Sequence, residues 1–337
     1  MPGCGVEITG GRPTDMRISV VIPAFNGAET IEDCLRAIFA ADYPAEDREV
    51  IVVDDGSTDA TPTILERLRG EGLALTVIRQ ENRGAAGARD RGVKAASGEA
   101  VFIISQDTFA EPDWFATVVR EFVADPTLGI VQGRIELTEP IRFPFYHAVE
   151  LKQFVWNFPT AAIAFRGVAL DKAGRFFDDQ LSECGDDTDI AWRIIGQGYG
   201  FRWLDRVTAR HGVYPKSFWY PIRRTFPRTE RLPLLVKRHP RIRQHLRGGF
   251  LWSTPRKLAE ILLLLMSPAV LLVSRWSGIG VAVLAVASAM HRHRGTASPY
   301  LSWFQRYVLV SVNTFMCEVL GFLAMAYGSV RYRSPLL

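Results

Sequence analysis

EVIVVDDGSTD, at residues 49–59, contains the local pattern on which the interpretation of the whole chain rests. Its β-branched run ends abruptly at Asp54 and Asp55, and glycine and small hydroxyl residues follow, as where a strand leads into a helix. The same alternation extends on both sides and predicts strands at 17–25, 49–53, 74–79 and 100–104, with helices at 29–41, 59–69 and 84–96. Short apolar strands separated by such helices indicate an α/β domain with a mostly parallel sheet.

The carboxyl ends of the predicted strands carry polar and acidic residues, and ligands of parallel sheets bind at those ends. They are Pro23 to Asn26, Asp54-Asp55-Gly56-Ser57 and Ser105-Gln106-Asp107. Two adjacent aspartates repel each other unless a cation or hydrogen-bond donors offset their charge, and a nucleotide base and ribose offer such donors. Asp59, by contrast, is interpreted as a cap of the following helix.

The composition is that of a folded chain. Of its 337 residues 48% are hydrophobic and 23% are charged, which excludes disordered, collagen-like and coiled-coil chains. The four cysteines lie far apart without a CxxC pair, so a disulfide framework or a zinc ribbon is not indicated and a reducing compartment is expected. The first fifteen residues lack an apolar core preceded by positive charge, so we expect no secretory signal peptide.

The net charge of +4 hides three regions of different charge. Residues 1–200 carry 19 basic and 32 acidic groups, residues 201–257 carry 15 and 2, and residues 258–337 carry 6 and 2. The basic segment leads directly into apolar runs, which is typical of an enzyme seated on membrane lipid. We therefore expect no nucleic-acid partner.

Three apolar runs lie in the C-terminal part of the chain, at 258–274, 276–290 and 307–328. A membrane helix needs roughly 20 apolar residues, so the third run qualifies alone and the first two are interpreted as a tight hairpin. One re-entrant element plus one span, or a buried pair of soluble helices, is the alternative. The basic residues before the first run and HRHR at 291–294 predict a plasma-membrane protein whose catalytic domain faces the cytoplasm.

Two further acidic positions are candidates for catalysis. Asp107, where the strand VFIIS ends, is a candidate ligand for Mg²⁺ or Mn²⁺, although a strand-end aspartate is ordinarily only solvated. In ECGDDTDIAWRI at 183–194, complementarity to a helix N-terminus explains one or two acids. Four acids occur there within seven residues, namely Glu183, Asp186, Asp187 and Asp189. Such crowding is expected to raise at least one pKa, which suits a general base.

Small residues open the predicted helix in ENRGAAGARD at 81–90. A helix start of this kind is a natural anion site, and Arg89 could reach a phosphate or pair with the acidic loops. Close helix packing explains the small residues equally well.

Taken in order, these stretches resemble the family 2 inverting glycosyltransferases of the GT-A fold. The matching blocks are VVIPAFNGAETI (20–31), VVDDGSTD (52–59), ENRGAAGARDRG (81–92), IISQD (103–107), AGRFFDD (173–179) and GDDTDIAWR (185–193). The resemblance covers about residues 17–215. It implies an α/β GT-A domain, a Rossmann-like and mostly parallel sheet with flanking helices, to which this chain adds C-terminal transmembrane helices.

The resemblance also implies a role for each matching residue. Donor-binding residues would be Pro23, Ala24, Phe25, Asn26, Asp54, Asp55, Arg89 and Gln106. Asp107 matches the last aspartate of the DxD metal motif, and His211 is similar to a histidine that approaches the metal or diphosphate in some relatives. A structural histidine is the alternative for His211. Asp187 matches the catalytic base, and Asp186 occupies the position of the usual glutamate.

Three departures from the family pattern limit what is carried over. Ser105 and Gln106 stand where many relatives have Asp-x, which leaves Asp107 as the only acid of the metal motif. Asp90 replaces the usual asparagine. No QxxRW motif follows residue 200, and because that motif marks processive synthases, a single addition is favoured.

The function expected from the sequence is inverting transfer of one sugar from a UDP, GDP or dTDP sugar to a hydroxyl of a glycan or lipid-linked glycan, in envelope polysaccharide synthesis. The alternatives are a polyprenyl-phosphate sugar synthase and a non-catalytic scaffold that retains the fold. The expected organisation is a tail at 1–16, a catalytic domain at 17–215, a basic and aromatic membrane-interface segment at 216–257, and a transmembrane region of two or three spans at 258–330.

Overall fold

The computed structural model describes residues 16–181, 185–246, 301–302, 305 and 309–336. The chain divides into two compact units. The first contains the described residues of Met1–Glu136, Glu150–Asp178 and Ile190–His211, and the second those of Leu137–Val149, Asp179–Asp189 and Gly212–Leu337. The two hydrophobic runs at 258–274 and 276–290 lie outside the described residues.

The elements follow one another in this order: β1 (Ile18–Ala24), α1 (Ile31–Ala40), β2 (Arg48–Asp54), α2 (Thr61–Gly70), β3 (Leu75–Arg79), α3 (Gly84–Ala95), β4 (Ala100–Ile104), β5 (Thr108–Ala110), α4 (Trp114–Ala124), β6 (Leu128–Leu137), β7 (Tyr146–His147), β8 (Ala162–Arg166), α5 (Gly167–Lys172), α6 (Asp186–Gly196), β9 (Gly200–His211), β10 (Tyr214–Pro215), α7 (Trp219–Thr229), α8 (Leu232–Arg238) and α9 (Val310–Tyr332). Short 3₁₀ helices occupy Asp179–Leu181 and Pro240–His245.

An eight-stranded sheet in the order β3-β2-β1-β4-β8-β6-β9-β5 forms the centre of the first unit. Its first four strands are parallel, and β8 adds antiparallel to β4. The alternation of strands and helices over the first hundred residues predicts this parallel half, and the structure confirms it. All four carboxyl ends therefore lie at one edge of the sheet.

Continuous burial of both faces explains why the parallel strands are almost purely apolar. Val20, Val21 and Ile22 in β1 are fully buried, as is all of β4. The rings of Trp114 and Phe115 pack edge-on against Phe102, each with centroids 5.0 Å apart. These contacts attach α4 to the sheet and fix the position of the strand that ends beside Asp107.

The second unit combines a two-stranded antiparallel pair, β7 with β10, and helices. Helix α9 packs against α7 and α8. It has 23 residues, and an 18-residue stretch within it has a mean hydropathy of 1.4, so the helix is long and apolar enough to cross a membrane. One helix of this kind is weak evidence for a membrane span, because a core helix can have the same composition.

Candidate functional site

Asn26 connects the loops that follow β1 and β2. Its backbone is left-handed, with φ of 48°, and its N–H donates to Oγ of Ser57 over 2.9 Å. Its Oδ1 accepts a 2.8 Å hydrogen bond from the N–H of Thr58. At the end of β2, the buried Asp54 accepts the N–H of Ser57 over 2.9 Å. These bonds hold two neighbouring strand ends in one fixed arrangement.

The buried Asp55 connects four elements through its backbone and its side chain. Its N–H donates to the carbonyl of Ala24 over 2.8 Å, which ties β2 to β1. Its Oδ1 accepts from Nε2 of Gln80 over 2.8 Å and from the N–H of Arg83 over 2.9 Å. Gln80 follows β3, and Arg83 directly precedes α3. The carboxylate is therefore held in place by fixed donors before any ligand binds.

Asp59 lies one residue before Ala60, the N-cap residue of α2, so the predicted capping position is off by one although its carboxylate does bond the first helical N–H. Its Oδ1 accepts the N–H of Thr61 over 2.9 Å, and Oδ2 accepts the N–H of Ala28 over 3.0 Å. Burial alone would raise the pKa of Asp59, but these hydrogen bonds outweigh it and lower the pKa below its ordinary value. Asp59 is thus a structural residue of the loop.

Gln106 connects the loop after β4 to the loop after β1. Its Oε1 accepts the N–H of Phe25 over 2.9 Å, and its Nε2 donates to the carbonyl of the same residue over 3.1 Å. This reciprocal pair fixes the backbone beside Pro23 and Ala24. The side chain of Phe25 is 44% exposed, so its ring is available for stacking.

The pair Asp107 and His211 is formed by the register of β5 with β9, which aligns Thr108 with His211. Nε2 of His211 lies 3.3 Å from Oδ1 of Asp107, with the imidazole fully buried and the carboxylate 15% exposed. One carboxylate oxygen and one imidazole nitrogen are suitable ligands for Mn²⁺. The residues present therefore fit a divalent cation.

Cys34 of α1 packs against the loop that carries Asp107. Its Sγ lies 3.6 Å from the carbonyl oxygen of Ser105, within reach of a weak hydrogen bond. Burial, reinforced by the negative charge of Asp107, raises the pKa of the Cys34 thiol far above its ordinary value. Cys34 is therefore a neutral packing residue.

Arg89 and Asp90 lie on α3 and contact the segment around Phe177. The guanidinium of Arg89 lies over the Phe177 ring, 5.5 Å from its centroid. Asp90 accepts the N–H of Phe177 over 3.3 Å and pairs with Lys94 over 2.8 Å. An acid in place of the usual asparagine thus retains an acceptor for the backbone and gains an ion pair.

In the second unit, α6 begins with Asp186 and Asp187. Asp186 is buried, whereas Asp187 is half-buried and accepts the N–H of Thr188 over 2.7 Å. Asp189 is buried and pairs with Nε2 of His239 over 2.8 Å. Asp189 thus has a structural partner in His239. Glu183 lies outside the described residues.

Within the first unit, the strand ends bring together nine of the residues predicted from the sequence, namely Pro23, Ala24, Phe25, Asn26, Asp54, Asp55, Gln106, Asp107 and His211. Gln80 is not predicted from the sequence, although its position directly after a predicted strand is the signal that would have identified it. Cys34 is not predicted either, because an apolar helix position does not reveal which loop it contacts.

Comparison with known proteins agrees with this geometry. The family model Glycosyl transferase family 2 matches residues 19–166. The chain is 35% identical over 116 residues to the poly-beta-1,6-N-acetyl-D-glucosamine synthase of Staphylococcus aureus strain COL, over 34% of this chain and 28% of that protein. It is 26% identical over 208 residues to glycosyltransferase AglE of Haloferax volcanii, over 59% of this chain and 67% of that protein.

A solved mannosyltransferase, PcManGT from Pyrobaculum calidifontis in complex with GDP-Man and Mn²⁺, superposes with a TM-score of 0.55 and 24% identity. The alignment covers 95% of this chain and 88% of that one, and the likeness concerns the fold. Residues 19–166, less than half of the chain, match the family 2 glycosyltransferase model, and the chain shares its fold with this mannosyltransferase. The match to the staphylococcal synthase spans little more than a quarter of that relative's length.

Proposed function

We propose that the protein transfers one sugar from a nucleotide-sugar to an acceptor hydroxyl, with inversion at the anomeric carbon. The observation that carries the proposal is the set of polar side chains at the carboxyl ends of β1, β2 and β4. Asn26, Asp55 and Gln106 are already fixed there by hydrogen bonds to neighbouring loops. A site built in this way does not need to be ordered by its ligand.

The donor nucleotide binds at this edge through hydrogen-bond acceptors, an exposed ring and a guanidinium. Asp54 and Asp55 accept donors of the base and ribose, and the exposed ring of Phe25 supplies a stacking surface. Arg89 offers a guanidinium to the diphosphate, which Arg binds in bidentate fashion better than Lys. The GDP-Man bound to the mannosyltransferase of similar fold is consistent with a donor of this class.

Asp107 and His211 would hold a divalent cation, Mg²⁺ or Mn²⁺. An ion held there would supply positive charge against the negative charge that develops on the departing diphosphate.

Asp187 acts as the general base. It accepts the proton of the acceptor hydroxyl, the oxygen attacks the anomeric carbon, and the bond from that carbon to the diphosphate oxygen breaks on the opposite face. The nucleoside diphosphate leaves with the electron pair of that bond. Support comes from the half-buried position of Asp187 at the start of α6, where a carboxylate remains reachable.

The acceptor is a glycan or a lipid-linked glycan of envelope polysaccharide synthesis, and the enzyme adds one sugar per event at the cytoplasmic face of the plasma membrane. The name of the staphylococcal relative, a poly-beta-1,6-N-acetyl-D-glucosamine synthase, supports the first part. The absence of QxxRW after residue 200 supports single addition. The apolar helix α9 and the basic segment before residue 258 support attachment to membrane lipid.

The experiment that tests the donor is a nucleotide-release assay on the detergent-solubilised protein. The panel contains UDP-N-acetylglucosamine, UDP-glucose, GDP-mannose and a dTDP-sugar, each with Mg²⁺, Mn²⁺ or EDTA. We expect release from one donor that is lost in EDTA and in Asp107→Asn. The matched control is Asp205→Asn, an exposed aspartate on the same strand as His211, which retains activity. No release or binding with any donor would favour the scaffold alternative.

The experiment that tests the base is Asp187→Asn. Amide replacement removes proton acceptance and leaves the shape, so we expect about a 10²–10⁴-fold loss of transfer with unchanged nucleotide affinity. Full turnover in Asp187→Asn would exclude Asp187 as the base. Full turnover onto polyprenyl phosphate would instead identify a polyprenyl-phosphate sugar synthase, in which the attacking phosphate needs no strong base.

A further inference from the structure

Helix α8 and its C-cap residue His239 contact three residues near Asp186 and Asp187. Nη2 of Arg238 donates to Oε1 of Gln180 over 2.9 Å, before the acidic residues. Nε2 of His239 lies 2.8 Å from Oδ1 of Asp189, after them. Between these two contacts, Gly185 lies against Leu235, where a Cβ would come within 3.2 Å of Cδ2. Asp186 and Asp187 therefore lie between Gly185 and Asp189, two residues that contact α8 or its C-cap residue.

The end of α8 explains these contacts. Leu235 and Arg238 lie three residues apart on α8 and share one face, and His239 is the C-cap residue that follows Arg238. Pro240 comes next, and a proline disfavours helical backbone in the residue before it, which ends α8 at this place. An apolar side chain, a guanidinium and an imidazole are thus presented to Gly185, Gln180 and Asp189.

The buried carboxylate of Asp189 has two neighbouring side chains that compensate its negative charge. Asp189 is 3% exposed and lies within two residues of Asp187 and three of Asp186, so its negative charge is costly unless it is compensated. His239 supplies the close hydrogen bond, and Nη1 of Arg238 lies 3.7 Å from the same oxygen. Removing His239 leaves a buried carboxylate with weaker compensation, next to the two acids that begin α6.

Helix α8 also packs against α9. A Cβ at Gly328 of α9 would lie 3.2 Å from Cγ of Pro233 in α8, and it would collide with the carbonyl oxygen of Glu230, the C-cap residue of α7. The acidic segment is thus connected through α8 to the apolar helix α9.

We propose that His239 is a positioning residue, which through Asp189 holds the start of α6 in the orientation that Asp187 needs. This inference rests on the proposed role of Asp187 as general base. Since the contact lies on the acidic segment, it acts on the chemical step and leaves nucleotide affinity unchanged. A displacement of about 1 Å at a base can cost about 10²-fold in rate.

The test compares His239→Ala with His239→Gln, whose amide N–H can still donate to Asp189. With the most active donor of the panel, we expect His239→Ala to lower kcat about 10–100-fold at unchanged donor KM, and His239→Gln to restore most of it. Arg238→Ala is a second variant at a half-buried position, with a smaller loss in kcat. His245→Ala, an exposed histidine of the following 3₁₀ helix, is the control and retains full activity.

Amide hydrogen exchange provides a readout that does not depend on activity. We expect faster exchange in peptides covering 185–190 in His239→Ala, recovery in His239→Gln, and no change around Asp107 in the first unit. Unchanged exchange and wild-type kcat in His239→Ala would overturn the inference, even where Asp187→Asn is inactive. Faster exchange in a protein that releases no nucleotide would retain the positioning contact and reject the proposed function.

Discussion

At the residue scale, the site is built from side chains that form hydrogen bonds to neighbouring loops in the absence of any ligand. Gln106 illustrates this. The resemblance implies that Gln106 contacts the nucleotide-sugar. In the structure, the oxygen and the nitrogen of its side-chain amide both form hydrogen bonds with the backbone of Phe25. In the proposed function, Gln106 therefore affects binding of the nucleotide-sugar through the loop after β1, whose backbone it holds at Phe25.

We therefore expect Gln106→Ala to raise the donor KM about tenfold, because each lost backbone contact is worth about 1 kcal/mol and the loop is less ordered. The value of kcat should change little, since neither Asp107 nor Asp187 is altered. Steady-state kinetics measure both parameters. Gln197→Ala, at an exposed glutamine after α6, is the control. A fall in kcat with unchanged KM would contradict the loop-ordering role.

Glu49 gives a second prediction at this scale, on stability. Burial alone would raise the pKa of Glu49, but hydrogen bonds from the hydroxyl of Ser19, from the N–H and hydroxyl of Ser97, and from the N–H of Gly98 outweigh it and lower the pKa. A lowered folded-state pKa stabilises the protein above the unfolded value and loses that effect as the pH falls through the folded value.

Unfolding of the solubilised protein at pH 7 and at about pH 4 tests this. We expect Glu49→Gln to be about 1–3 kcal/mol less stable than the wild type at pH 7, and the difference to shrink at the lower pH. Glu46→Gln, at an exposed position in the preceding loop, should show no such convergence. A difference that is constant with pH would mean that the charge of Glu49 is irrelevant to stability.

At the element scale, the parallel strands and their helices lie close to the sequence expectation. The predicted helix at 84–96 is α3, and the predicted strand at 17–25 is β1. The strands β6, β8 and β9 are not predicted, because their pairing partners lie far away in sequence and no local pattern identifies them. His211 is close to Asp107 only through that long-range pairing.

Helix α3 also yields a prediction about packing. A Cβ at Gly92 would lie 2.3 Å from Cγ1 of Val21 and 3.2 Å from Cγ2 of Val53, so Gly92→Ala must displace α3 from the sheet. We expect a loss of about 1–3 kcal/mol in the free energy of unfolding, measured by chemical denaturation. At Gly70, nothing lies within 4 Å of such a Cβ, and Gly70→Ala should be neutral or stabilising by up to about 1 kcal/mol. Equal effects of the two substitutions would contradict the packing argument.

At the scale of the whole molecule, the charge of the chain changes sign between the acidic first 200 residues and the basic segment 201–257. The apolar helix α9 follows in the second unit. Two kinds of membrane attachment are therefore distinguishable. Attraction of arginines to anionic lipid is screened by salt, whereas burial of an apolar helix is not.

We expect the protein to remain in the membrane fraction at about 1 M salt, where the Debye length is only about 3 Å, and to be released by detergent. Sedimentation of membranes followed by immunoblotting measures this. A known peripheral protein in the same membranes should be released by salt and serves as the control. Release of the full chain by salt would show attachment through the basic segment alone.

The sequence by itself determined the α/β alternation, the strand-end acids and the resemblance to family 2 glycosyltransferases, because these depend on local periodicity and on short motifs whose spacing is visible along the chain. Tertiary structure decided the rest. It brought Asp107 close to His211, which lies about a hundred residues away in sequence. It also formed the hydrogen bonds between Gln106 and the backbone of Phe25 and placed His239 beside Asp189. Each of these contacts depends on the register and packing of elements distant in sequence, for which adjacent residues carry no signal.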